Sequence, residues 1–198
     1  ASWLEKKTGN WRSAQSISSS AVGTLAAAEL PLWRYLRQQG FSAESIERIR
    51  SKTYTRGRMG GQHYRVTGGR ITEQKLQRDL APNIAALRAE GLDTATIERM
   101  CTSYHVLLTT THATFSSSLA ALRRLASLLP DDPRAVQAPP GATPLGVALW
   151  RYPTGGAYLL VLANLGSLVE RNLRLRRQLG VSDAATAMAL FQYSVAWV

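Results

Sequence analysis

The chain has 198 residues, 45% of them hydrophobic, with 24 Lys/Arg against 13 Asp/Glu for a formal net charge of +11, and one cysteine. That length admits one elongated domain or two small ones around a sizeable core, and no run approaches the roughly 18 apolar residues of a membrane span, so the chain reads as soluble. A single cysteine, Cys101, excludes an internal disulfide and fits a reducing compartment.

Residue 1 is Ala, which reads as a processed N-terminus or a chain numbered from an internal point, and no signal-peptide apolar core follows it. The charge is uneven. Residues 1–78 hold 14 Lys/Arg and 5 Asp/Glu, against 10 and 8 in residues 79–198. Residues 1–24, ending in SAQSISSSAVG, are polar and Ser-rich without periodicity and read as an extended arm. From Leu25 the spacing turns helical, through Leu32 and Leu36, into LRQQGFSAESIERI. There Gly40 suits the left-handed residue that ends a helix, Ser42 caps the next, and Ile46 and Ile49 share a face.

Residues 50–70, RSKTYTRGRMGGQHYRVTGGR, break this pattern with six Lys/Arg, five Gly and no carboxylate. Such a run repels itself, and its glycines raise the entropic cost of order, so it calls for an anionic partner. Nucleic acid supplies the densest anionic charge, with counterion release driving association; the stretch lacks the apolar anchors of a membrane-surface helix. Gly57 and Gly60 match the GxxG loop of KH domains, but the strands of that fold are missing from the pattern. The candidate contacts here are Arg50, Lys52, Arg56, Arg58, Arg65 and Arg70 for phosphates, with Tyr54, His63 and Tyr64 as flat faces for unpaired bases.

The stop-and-cap grammar returns at LRAEGLDTATIERM, where Gly91 ends a helix, Asp93 caps the next, and Ile97, Met100, Cys101 and Tyr104 follow at helical spacing. Phe115, Leu119, Leu122, Ala126 and Leu129 form a further apolar stripe before the Pro-rich loop PDDPRAVQAPPGATP. Helices resume at LGVALWRYP and YLLVLANLGSLVERNLRLRRQL, and Gly180 with Ser182 gives a third copy of the grammar. The copies lie 51 and 89 residues apart, too far for single units of about 30 residues, the excess being the basic insertion in one gap and an intermediate unit in the other.

LRAEGLDTATIERMCTSYHVLLTTTHATFSSSLAALRRL resembles one repeat of the mitochondrial transcription termination factor (mTERF) family: helix, Gly turn, helix, an apolar VLL step, then a third helix. VALWRYPTGGAYLL is similar to the family's Pro followed by Leu-Leu, with Pro153 in the Pro place. The resemblance covers residues 30–50 and 80–198; the Pro position of the clearest repeat holds Ser103 or Tyr104, and the 50–70 insertion has no family counterpart. It implies an all-α superhelical stack of mTERF-like helical repeats over residues 25–198, nucleic-acid binding on a basic face, and a mitochondrial location ahead of a chloroplast one.

ERNLRLRRQ places Arg171, Arg174 and Arg177 three apart on one helix, a positive ridge for phosphates, with Leu173 and the Leu175/Leu179 pair assigned to packing. The ordinary alternative is a solvated face at a helix end that favours cations. No zinc-type HExxH, phosphate loop or nucleophile elbow is present, His105 and His112 gain no Cys or carboxylate as a third ligand, Cys101 occupies a core position, and Asp131 and Asp132 read as solvent-exposed or capping. Trp33, Trp150 and Trp197 fall in apolar patterns and read as core. The sequence therefore reads as a non-enzymatic protein without cofactor or metal, binding structured RNA, ribosomal RNA foremost, as a structural component of a mitochondrial ribosome or other ribonucleoprotein beside neighbouring proteins. The alternative is a duplex-DNA-binding transcription termination factor; a scaffold without nucleic acid leaves the charge unexplained.

Overall fold

A computed structural model describes residues 30–51, 53–55, 63–65, 71–130 and 136–193, and of residues 53–55, 63–65 and 193 the backbone alone. The N-terminal arm, the start of the first helix at Leu25, Asp131, Asp132 and Trp197 lie outside the described residues. The described chain is mostly helical, and its helices from Pro31 onward belong to one compact unit. The departure from an all-α pattern is a short antiparallel ladder inside the basic insertion, Thr53–Thr55 (β1) with His63–Arg65 (β2), which sets Tyr54 opposite Tyr64.

The helices follow the grammar of the sequence. α1 (Pro31–Gln38) and α2 (Ala43–Ser51) meet at Gly40, whose φ of +85° is open to glycine at no steric cost. Gly40 N–H donates to the Arg37 carbonyl at 2.9 Å and Phe41 N–H to the Leu36 carbonyl at 3.0 Å, the paired bonds that satisfy a helix's last carbonyls. The same pair recurs at Gly91, between α4 (Ala81–Ala89) and α5 (Thr94–Ser103), and at Gly180, between α9 (Leu165–Gln178) and α10 (Asp183–Tyr193). Ser42, Asp93 and Ser182 then cap α2, α5 and α10 by accepting the backbone N–H three residues on, at 3.2, 2.8 and 3.2 Å.

Proline explains two further features. α3 (Glu73–Lys75) runs into α4 through a π-helical stretch, Leu76–Leu80, just ahead of Pro82, which offers no N–H and crowds the preceding turn. Pro153 opens α8 (Pro153–Leu160) and holds Tyr152 at φ −122°, ψ 59°, so α7 (Pro144–Arg151) must end before it. The VLL step is a 3-10 turn, His105–Thr109, that buries Leu107 and Leu108 and leads into α6 (His112–Ala126). His105 and His112 accordingly belong to different elements and do not share a helix face.

The core runs through all these helices. Leu32, Leu36, Ile49, Leu87, Met100, Phe115, Leu122, Leu149, Leu160 and Phe191 are fully enclosed, Trp33 is buried and Trp150 half-buried. Polar junctions join them, three of them built around Glu98, Asn83 and Glu90. Ser42 donates its N–H and its hydroxyl to Glu98 of α5 at 3.2 and 2.5 Å. Buried Asn83 donates to the Thr110 carbonyl at 3.1 Å, which turns its oxygen to His112 Nδ1 at 2.8 Å, and buried Asp79 accepts the His112 N–H at 3.2 Å. Glu90, 2% exposed, accepts from Arg123 Nε at 2.8 Å and from the Thr143 hydroxyl, while its carbonyl accepts Thr143 N–H at 3.0 Å. Gly146 permits this last approach, because a Cβ there would lie 2.0 Å from the Glu90 carbonyl oxygen.

Candidate nucleic-acid interface

α9 carries the arginine-rich sequence on an exposed helix. Leu165 and Val169 are buried and Leu173 is packed against the core, so this i, i+4 series defines the inward face. At about 100° per residue, Arg171 lies opposite that series and Arg174 about 140° from its centre. Both are exposed. Among the described residues, Arg171, Arg174 and Arg176 are the arginines whose side chains meet no carboxylate, hydrogen-bond acceptor or aromatic ring. Arg176 is half-buried and lies toward the inward side, so the outward pair is Arg171 and Arg174.

The third member of the expected ridge is used differently. Arg177 grips Asp183 with both arms, Nε to Oδ1 at 2.6 Å and Nη2 to Oδ2, across the Gly180 turn. The arginine lowers the Asp183 pKa through hydrogen bonding and charge. The ridge is thus a pair and not a triad, because the turn brings an acidic residue within reach of the last arginine.

The expected packing role of Leu175 and Leu179 is overturned. Leu175 is 44% exposed and Leu179 79% exposed, and with Leu30 and Val136 they are the large exposed apolar residues among the described ones. Leu175 sits about 120° from the centre of the Leu165, Val169 and Leu173 series. The signal was present in the sequence: residues two apart on a helix, such as Leu173 and Leu175, point to nearly opposite sides and do not both enter one core.

Of the candidates in the basic insertion, Arg50 lies in the last turn of α2, where it pairs with Glu47 at 3.2 Å and sits 5.8 Å above the Trp33 ring. Tyr54, His63, Tyr64 and Arg65 fall on the two strands of the ladder. Lys52, Arg56, Arg58 and Arg70 lie outside the described residues, as does the Gly57 to Gly60 loop.

The described residues contain no group of three or more His, Cys, Asp or Glu placed to hold a metal ion, and no described helix is long and apolar enough to cross a membrane. Cys101 is fully buried on α5, and burial pushes its thiol pKa up to about 12, which leaves it an inert core residue. Compared with protein-family models, with curated proteins and with solved structures, the chain matches none.

Proposed function

We propose that this protein binds structured RNA as a non-catalytic component of a mitochondrial ribosome or other organellar ribonucleoprotein, its helices forming an mTERF-like superhelical stack. The observation that carries the reading is the pair of exposed arginines on α9, Arg171 and Arg174, which have no partner among the described residues, where the other exposed arginines mostly have carboxylate partners. Two cations one turn apart suit successive phosphates. The carboxylate-free run at residues 50–70 supports the same reading with six further cations. The order helix, Gly turn, helix, 3-10 turn, helix around Gly91 supports the family resemblance.

The salt dependence of RNA binding tests the site. Each lost phosphate contact removes about 0.7–0.9 from the slope of log K against log salt, so R171Q/R174Q should flatten the slope by about 1.5. R177Q should leave it nearly unchanged, because Asp183 already neutralises that arginine. An unaltered slope in the double variant returns α9 to a solvated face, and tighter binding to duplex DNA than to RNA of matched sequence favours a termination factor.

A further inference from the structure

We infer that the α9 surface takes RNA whose bases are unpaired, with Arg171 and Arg174 on the phosphates and Leu175 and Leu179 against exposed base faces. The inference rests on the nucleic-acid reading above and adds the conformation of the strand. Arg171, Leu175 and Leu179 follow one another at i, i+4 along one exposed row, with Arg174 and Gln178 beside it, so cations and apolar surface form one continuous strip. Steps of four residues separate neighbours by about 6 Å along the axis, close enough for one strand to span both parts.

Duplex RNA presents phosphates and sugar hydroxyls to a surface helix and keeps its base faces inside the stack. Bound to a duplex, the arginines gain partners while the two leucines stay in water or desolvate a polar backbone. A single-stranded loop offers anion and apolar face in the same ligand, and covering the leucines removes apolar area from water. Leucine is among the apolar side chains that pack against separated base steps in other nucleic-acid complexes. An acidic protein segment offers the same two chemistries, but the carboxylate-free run elsewhere in this chain already calls for phosphates, so nucleic acid satisfies both regions with one class of partner.

The experiment compares the full chain with L175S/L179S, both sites being exposed enough for the fold to tolerate polar residues, with circular dichroism as the check. The probes are a fluorescein-labelled single-stranded RNA of mixed sequence and the same strand annealed to its complement, read by anisotropy. The serine variant should bind the single strand about tenfold more weakly and the duplex unchanged, with an unaltered salt slope. L175M/L179M should keep the single-strand affinity. A serine variant that binds the single strand as wild type does, or loses equally on both probes, overturns the base-face contact while leaving RNA binding in place. Wild-type protein that binds neither probe at low salt overturns the nucleic-acid reading and this inference together.

Discussion

The junction at Glu90 and the outer face of α9 are both charged, yet they are built in opposite ways. At the junction a buried carboxylate is held by Arg123 and Thr143, and the α4–α5 turn presses against the start of α7 with no room for a Cβ at Gly91 or Gly146. On α9, two arginines stand exposed without partners beside two uncovered leucines, and a Cβ at Gly166 would meet nothing nearer than Arg124 Nη2 at 3.7 Å. The charge that holds this junction is a buried carboxylate with its bonds filled, while its arginine partner stays partly in solvent. Charge left free for a ligand is exposed, and none of the described residues competes for it.

The glycines give the largest contrast. Gly146→Ala drives a methyl into the Glu90 carbonyl, and since both atoms belong to backbone the helices must separate; unfolding in urea should show a loss of about 3 kcal/mol. Gly166→Ala, where the new methyl meets only the flexible Arg124 head at van der Waals distance, should instead gain about 0.5 kcal/mol from helix propensity. A neutral Gly146→Ala means that the two elements do not approach as described.

Charge removal comes next. Glu90→Ala strips the acceptor from Thr143 and Arg123 inside the junction and should cost about 2–3 kcal/mol, tempered because the Arg123 head can turn to solvent. Replacing Arg171 and Arg174 by Gln should move stability by no more than about 0.5 kcal/mol, since neither has a partner among the described residues. A large stability loss in the arginine variant would make α9 a structural element and weaken its claim as an interface.

A smaller effect separates the regions by pH. Arg78, with help from the His112 N–H, draws the Asp79 carboxyl below its ordinary range, and the Thr96 cap bonds do the same for Asp93. Burial alone would raise Glu98, but bonds from Ser42 and Ser45 carry it below the usual value. Each pKa is lower in the folded state, so its stabilisation is complete above the unfolded carboxylate range of about 4 and disappears as pH falls through the folded value. Thermal stability should therefore hold down to about pH 5 and drop below about pH 4, with E98Q shallower in that acid limb. A guanidinium does not titrate there, so Arg171 and Arg174 add nothing to the drop, whereas Asp183, held low by Arg177 across the α9–α10 turn, adds to it.

The helix stops at Gly40, Gly91 and Gly180 and the caps at Ser42, Asp93 and Ser182 are legible in the sequence because each acts within about one turn of its own residue. Pro153 is legible for the same reason. The inward face of α9 was also written there, in the Leu165, Val169 and Leu173 spacing, and assigning Leu175 to packing overlooked that period. Beyond pairs inside one helix, such as Glu44 with Arg48 and Glu47 with Arg50, tertiary structure decided which charges are free. The bond of Arg177 to Asp183 needs the α9–α10 turn closed, and the burial of Glu90 needs Arg123 and Thr143, 33 and 53 residues away, brought beside it. Local propensity sets where helices begin and end, whereas the pairing of Glu90 with Arg123 and the space beside Gly146 depend on contacts between segments far apart in the chain, which no local pattern encodes.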